Sequence, residues 1–299
     1  MTAPAFFVVG APKCGTSSLT AYLSQHSDVY LPDRKDVPYF GSDLDHRLGD
    51  GPETLQTYLG RFAAARPGQL AGEASVWYLY STRAAAEIAA FEPRARVVAM
   101  FRDPVEVLYS LHSHLLFMGD EDIVAFEEAL ATEDDRRAGG RLPPATRFAA
   151  GLLYRRVVRF AEQLERYLDV LGPDRVHVVV FDDLQQDPGA VARRVFEFLG
   201  LAPETPGDLR VVNANKVPRS RMAHAFFQRP PAGLEAAFRA VAPRALHGRV
   251  LPFFNRLNIA QRPRSPMAPE LAARLRLELA PEVARLGALI GRDLSHWSR

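Results

Sequence analysis

Residues 6–19 constrain this chain more than any other stretch. Phe6-Phe7-Val8-Val9 is a continuous apolar run closed by Gly10, and a helical pattern over 16–25 then places Leu19, Tyr22 and Leu23 on one face. An apolar run without polar alternation fits a strand buried on both faces, as in a parallel sheet. A buried strand that turns through a short glycine-bearing loop straight into a helix opens an α/β unit. Strand-like runs recur at 69–72, 96–101 and 176–181, with helical patterns between them. The clearest is the stripe Leu153, Val157, Phe160, Leu164, Tyr167/Leu168, Leu171; others cover 189–199 and 269–290. This alternation predicts an α/β fold: a P-loop-like parallel sheet flanked by helices on both faces, with extra helices toward the C-terminal end, as a single domain over 1–299.

Three stretches break the pattern, 119–147, 213–231 and 247–269, each rich in charge, glycine or proline. Long loops beyond the carboxyl ends of the strands are where ligands sit in open α/β sheets, so these are read as lids and rims of one site. Composition narrows the class of ligand. Lys+Arg 37 against Asp+Glu 35 leaves a net charge of +2, too small a field to draw the chain to nucleic acid or a membrane surface. No apolar run approaches the roughly 20 residues of a membrane span. The apolar start lacks a basic leader region, and the expected setting is cytoplasmic. One cysteine, Cys14, leaves no intrachain disulfide and no multi-cysteine metal site.

Within the basic residues the split is uneven: three are lysine (Lys13, Lys35, Lys216) and the other 34 are arginine. A surface cation here is ordinarily written as Arg, so each Lys marks a place where a compact ammonium is wanted rather than a guanidinium fork. Lys13 lies inside the turn Gly10-Ala11-Pro12-Lys13-Cys14-Gly15-Thr16-Ser17-Ser18. Such a turn aims backbone N–H groups and a helix N-terminus at an anion, and the hydroxyls and the ammonium add donors. The blander alternative, a capped glycine turn, leaves the lysine unexplained. The turn is not a Walker A loop, because Lys13 precedes Gly15 by two instead of following it. A second candidate anion site is Arg102-Asp103-Pro104 at a strand end, with Ser110 eight residues after Arg102. Asp103 and Pro104 suit a helix cap and first turn, Arg102 a bidentate phosphate contact, and Ser110 a donor from that helix.

At these residues the chain resembles the sulfotransferases that use 3′-phosphoadenosine 5′-phosphosulfate (PAPS). Their phosphosulfate loop, Lys-x-Gly-Thr-Ser/Thr, is matched by Lys13, Gly15, Thr16 and Ser17, and their 3′-phosphate motif by Arg102 and Ser110. Arg34-Lys35-Asp36-Val37-Pro38-Tyr39-Phe40 is similar to a Lys-Glu-x-His-Phe-Phe stretch of glycan and bacterial members, with Asp for Glu and Pro for His. Gly72-Glu73-Ala74-Ser75-Val76-Trp77-Tyr78 resembles a Gly-Glu-x-Ser-Pro-x-Tyr stretch, and the ending from Gly291 to Trp297 is like that of bacterial members. The resemblance implies transfer of a sulfuryl group from PAPS to a hydroxyl of a small or moderate-sized acceptor such as a secondary metabolite, lipid or sugar. The nucleotide product would be 3′-phosphoadenosine 5′-phosphate (PAP), and no metal would be required. Lys13, Cys14, Gly15, Thr16, Ser17 and Ser18 would hold the 5′-phosphosulfate and Arg102 and Ser110 the 3′-phosphate, with Lys216, Arg219 and Ser220 on a basic loop over the nucleotide.

Lys13 is then a catalytic cation, and two carboxylates compete for the acceptor proton. Asp36 occupies the position of a catalytic Glu in glycan sulfotransferases. Glu73 lies near where animal phenol and alcohol sulfotransferases place a catalytic His, and at the end of an apolar strand it should be the better desolvated of the two. Asp36 is placed slightly ahead as base, with Glu73 as a second active-site carboxylate. His112 and His114, two apart on a helix, make a poor metal pair and stand behind both carboxylates. Trp77, Tyr78 and Tyr80 are read as core or pocket wall, with one of them able to stack on adenine. The rival readings are an Mg-dependent P-loop kinase of a small molecule and a non-catalytic nucleotide-binding module.

Overall fold

A computed structural model describes residues 2–33, 35–37, 39–44, 53–144, 146–210 and 264–299, with the backbone of 216–218 and 259–261. The central sheet has five parallel strands: β1 (Phe6–Gly10), β2 (Val29–Tyr30), β3 (Leu70–Ala74), β4 (Arg96–Phe101) and β5 (Val176–Val180). They run in the order β2-β3-β1-β4-β5. All five residues of β1 are buried, as its unbroken apolar run requires of a central strand. A short antiparallel pair, β6 (Lys216–Pro218) with β7 (Ile259–Gln261), stands apart from this sheet.

The helices divide between two faces. The crossover from β1 to β2 carries α1 (Thr16–Leu23), while those from β3 to β4 and from β4 to β5 run the opposite way along the sheet and carry α3 (Ala84–Phe91) and α4 (Pro104–Met118). Right-handed crossovers in opposite directions lie on opposite faces. Helix α2 (Leu55–Gly60) precedes β3. The β4–β5 connection also contains α5 (Phe126–Ala131), α6 (Glu133–Arg137), α7 (Tyr154–Val157) and α8 (Phe160–Leu171). After β5 come α9 (Phe181–Gln186) and α10 (Pro188–Leu199), the latter packed beside α1. The long helix α11 (Pro269–Ile290) packs on α4 and α8. Because α1 and α4 leave adjacent strands toward opposite faces, a crevice opens at the carboxyl ends of β1 and β4, the usual ligand position in such sheets.

The expected parallel sheet with helices on both faces is therefore the observed fold, with local corrections. The apolar stripe 153–171 is broken at residues 158–159, where α7 ends and α8 begins. The stretch 119–147 is not all loop. It holds α5 and α6, pinned by a fully buried pair in which Arg136 donates to both oxygens of Glu121 at 2.7 and 2.8 Å. The Tyr154 hydroxyl completes that site, donating to Glu121 at 2.7 Å. Most of 213–231 and 247–269 lies outside the described residues.

Candidate active site

The turn from β1 to α1 is built by two glycines that no other residue replaces. Gly10 has φ +146° and a Cβ there would come within 2.5 Å of the Val76 carbonyl oxygen; Gly15 has φ +90° and a Cβ there would meet Phe181 and Leu184 at 2.8 and 2.9 Å. Between them Lys13 also has a positive φ of 67°, a strained setting for a side chain of this size. Cys14 is wholly buried, and burial pushes its thiol up to about 12, so its side chain is a small hydrophobe under the turn. The N–H of Cys14 donates to Ala11 O at 3.4 Å and that of Ser18 to Gly15 O at 3.0 Å. Of the expected cradle, this leaves the N–H groups of Gly15, Thr16 and Ser17, at the start of α1, best placed for an anion.

The second anion element stands beside the first. Asp103 caps α4, accepting from the N–H of Val105 at 2.8 Å, and Pro104 takes the first helical position, as the sequence predicts. Arg102, at the end of β4, reaches across to donate to the Lys13 carbonyl at 3.5 Å. Its guanidinium lies 4.6 Å from the centre of the Phe181 ring and pairs with Glu106 at 3.2 Å. Ser110 is buried two turns along the same helix. Arg264, which nothing in the sequence singled out, stacks 5.9 Å over the Tyr109 ring beside Ser110. Burial and then the positive charge of Arg102 lower its pKa. Arg264 is thus within electrostatic reach of Arg102. Lys216 is described only in its backbone, and Arg219 and Ser220 lie outside the described residues.

The two carboxylates have different surroundings. Asp36, like Lys13, has a positive φ, 56°; among the described residues only these two and Arg141 do so without being glycine. Its N–H donates to Ala74 O at 2.9 Å and its Oδ1 accepts from the Val76 N–H at 3.0 Å, so the loop is zipped to the end of β3. Asp36 keeps solvent-accessible surface, yet crowding by protein raises its pKa against the opposing pull of the Val76 N–H and Lys35. Its neighbour Lys35 donates to Thr20 Oγ1 at 2.5 Å, one turn beyond Thr16, and burial lowers the ammonium to about 8 against the pull of Asp36.

Glu73 is 1% exposed. It accepts from the Tyr58 hydroxyl and, at 2.7 Å, from Ser75 Oγ. Ser75 in turn accepts from the Val37 N–H at 2.9 Å, and the Tyr78 hydroxyl donates to Val37 O at 2.6 Å. Glu73 is thus the root of a buried network that fixes the loop carrying Lys35 and Asp36. The expected desolvation is present, with burial raising Glu73 to about 7 against these hydrogen bonds. The same burial encloses the carboxylate among protein donors.

This gives a sign to its pH dependence. A carboxyl whose folded pKa exceeds its unfolded value contributes stability that is complete below the unfolded pKa, about 4.5, and is lost as pH rises through about 7. Glu73→Gln removes that loss. Between about pH 5 and pH 8 the melting temperature of the variant should therefore gain on that of the wild type, by an amount equivalent to on the order of 3 kcal/mol if the whole shift is expressed. A difference independent of pH would show that Glu73 does not titrate in this range.

The remaining candidates are placed as follows. His112 is buried, its Nε2 2.9 Å from the Ile123 carbonyl, while His114 is exposed, so the two do not converge. Tyr78 is core. Trp77 is half-buried, 4.6 Å from Phe148 and 5.9 Å from Tyr80 between ring centres. The acidic pair after β5 is engaged: Arg292 forks onto Asp183, and Asp182 accepts from Trp297 Nε1 at 2.9 Å.

Two candidate anion elements meeting at the ends of β1 and β4, one a glycine turn with a strained lysine and no Walker lysine, suit an α/β nucleotide-binding protein of the P-loop type. The family model described as "Sulfotransferase domain" matches residues 3–216, and the chain belongs to that family. The structure is similar to that of a sulfotransferase from Alicyclobacillus acidocaldarius, with a TM-score of 0.74 and 29% identity, covering 100% of both chains. Among curated proteins it is similar to the bifunctional heparan sulfate N-deacetylase/N-sulfotransferase 4 of Mus musculus, 26% identical over 214 residues. That match covers 67% of this chain and 22% of the mouse protein. The heparan sulfate glucosamine 3-O-sulfotransferase 3B1 of Mus musculus is 28% identical over 198 residues, 66% of this chain and 46% of that one. The chain therefore spans less than half the length of these curated relatives. No helix among the described residues is long and apolar enough to cross a membrane.

Proposed function

We propose that the protein transfers the sulfuryl group of PAPS to a hydroxyl of a small or moderate-sized acceptor, working as a single domain. The observation that carries this reading is the convergence of Arg102 on the Lys13 carbonyl, which joins the two phosphate-directed elements into one site. Backbone N–H groups of Gly15, Thr16 and Ser17, with the Thr16 and Ser17 hydroxyls, would hold the 5′-phosphosulfate. Arg102, Ser110 and Arg264 would hold the 3′-phosphate, a multiply charged group that suits paired guanidinium forks. Lys13 would neutralise the charge that grows on the bridging oxygen as the sulfur–oxygen bond breaks. Asp36 would take the acceptor proton, and Glu73 would position the Asp36 loop from below. Work of this kind is positioning and charge stabilisation.

Trp77, half-buried against Phe148 and next in sequence to Val76, would offer an aromatic face to an apolar portion of the acceptor. The kinase reading calls for a metal-holding carboxylate. Asp182 and Asp183, the acidic pair at a strand end, are instead tied to Arg292 and Trp297.

Incubation with PAPS and pooled acceptors, with sulfated products read by mass, tests the activity. Binding to the native state raises the melting temperature, so PAP should stabilise the protein well beyond ADP at equal concentration. Equal shifts from the two, or a larger one from Mg-ATP, would overturn the assignment of the 3′-phosphate site.

A further inference from the structure

Beyond α11 the chain turns back onto α9. Arg292 forks onto Asp183, with Nη2 2.7 Å from Oδ1. Trp297, 3% exposed, donates to Asp182 Oδ2 at 2.9 Å, and His296 Nε2 lies 2.7 Å from the same oxygen. Asp182 and Asp183 form the first turn of α9, whose other face holds the phosphate site. Phe181 and Leu184 press on Gly15, and the Phe181 ring carries the Arg102 guanidinium. Contacts on both sides of α9 thus link segment 292–297 to the arginine of the second anion element.

We propose that segment 292–297 is a clasp that acts through α9 and Phe181 to position Arg102, and so sets the preference of the site for a nucleotide bearing a 3′-phosphate. The inference rests on the reading that Arg102 holds that phosphate. Arginine loses much rotamer freedom when it is held in one geometry, and Arg102 has a competing partner in the half-exposed Glu106. A ring fixed beneath the guanidinium supports it by a cation–π contact and leaves its N–H edge facing outward. The ring can do this only while α9 is held, and the bonds to Arg292 and Trp297 hold it.

The test compares dissociation constants for PAP and ADP in the wild type and in Phe181→Leu, Arg292→Met, Asp183→Asn and Arg102→Ala. Each clasp variant should weaken PAP by roughly three- to tenfold while ADP, which lacks the 3′-phosphate, changes by less than about twofold. Equal weakening of both nucleotides would reduce the clasp to a scaffold, and unchanged PAP binding would remove the coupling; either result overturns the proposal. If Arg292→Met does not fold, Asp183→Asn, which keeps the shape of the side chain, carries the comparison. Arg102→Ala separates the two levels. If it leaves the PAP-to-ADP ratio at the wild-type value, the reading of Arg102 itself fails; if it collapses the ratio while the clasp variants do not, only the clasp fails.

Discussion

Lys13→Ala is expected to lower kcat by about 10²–10³, the range for removing one fixed charge-stabilising donor from a transition state. Lys13→Arg should not restore it. The lysine sits in a left-handed conformation inside a turn whose two ends, Gly10 and Gly15, have no room for even a Cβ. The surrounding chain spends conformational strain to hold one residue there. A point-like ammonium fits such a place, whereas a planar guanidinium needs breadth and a forked partner. Single-turnover transfer from PAPS, with PAP affinity measured alongside, separates lost chemistry from lost binding. An arginine variant that kept most of the wild-type rate would refute the argument from shape.

Asp36→Asn should cost more, about 10²–10⁴ in kcat, with PAP affinity near wild type. The substitution is unusually clean. Asparagine tolerates a positive φ as well as aspartate does, and its side-chain oxygen can still accept from the Val76 N–H. What it loses is the capacity to take a proton. Because crowding raises the Asp36 carboxyl above the ordinary value, the wild-type rate should fall on the acid side of a pKa higher than that of a free aspartate. That acid limb should be absent from the residual activity of the variant. Normal turnover by Asp36→Asn would exclude the residue as base. Asp36 is one methylene shorter than glutamate, and the bond from its own N–H to Ala74 O draws the loop against the end of β3.

The parts that could be read from residue order are those whose physics is local. The apolar run of β1, the glycine turn after it and the Asp103-Pro104 cap of α4 each depend on a few adjacent residues, and each forms where the pattern places it. Helix α11 likewise follows from its own periodicity. Strand β2 has two residues and is too short to carry any periodic signal. Helices α5 and α6 are one to two turns each, and what steadies them is the buried Arg136–Glu121 pair, whose members lie 15 residues apart. The stripe through 153–171 gave no hint of its break, because both pieces show the same face to the core.

Within the candidate site, the scarcity of lysine singles out Lys13 and Lys35, and with them Lys216, which is described only in its backbone. The desolvation expected of Glu73 is present, but desolvation alone does not distinguish a reactive carboxylate from an anchoring one. Its partner Tyr58 is 15 positions away, and no local pattern announces that contact. Phe181 and Arg264 carried no motif, and only the folded chain sets them beside Arg102 and Tyr109.

Val76 has its N–H on Asp36 and its carbonyl against Gly10, so one residue of backbone separates the proposed base from the start of the donor turn. The distance between the two reaction partners is then a property of the backbone, unaffected by whatever molecule occupies the acceptor side. On the proposed reading, exchange of Trp77 or Phe148 alters the acceptor side and leaves the transfer geometry in place, whereas a side chain at position 10 collides with the Val76 carbonyl.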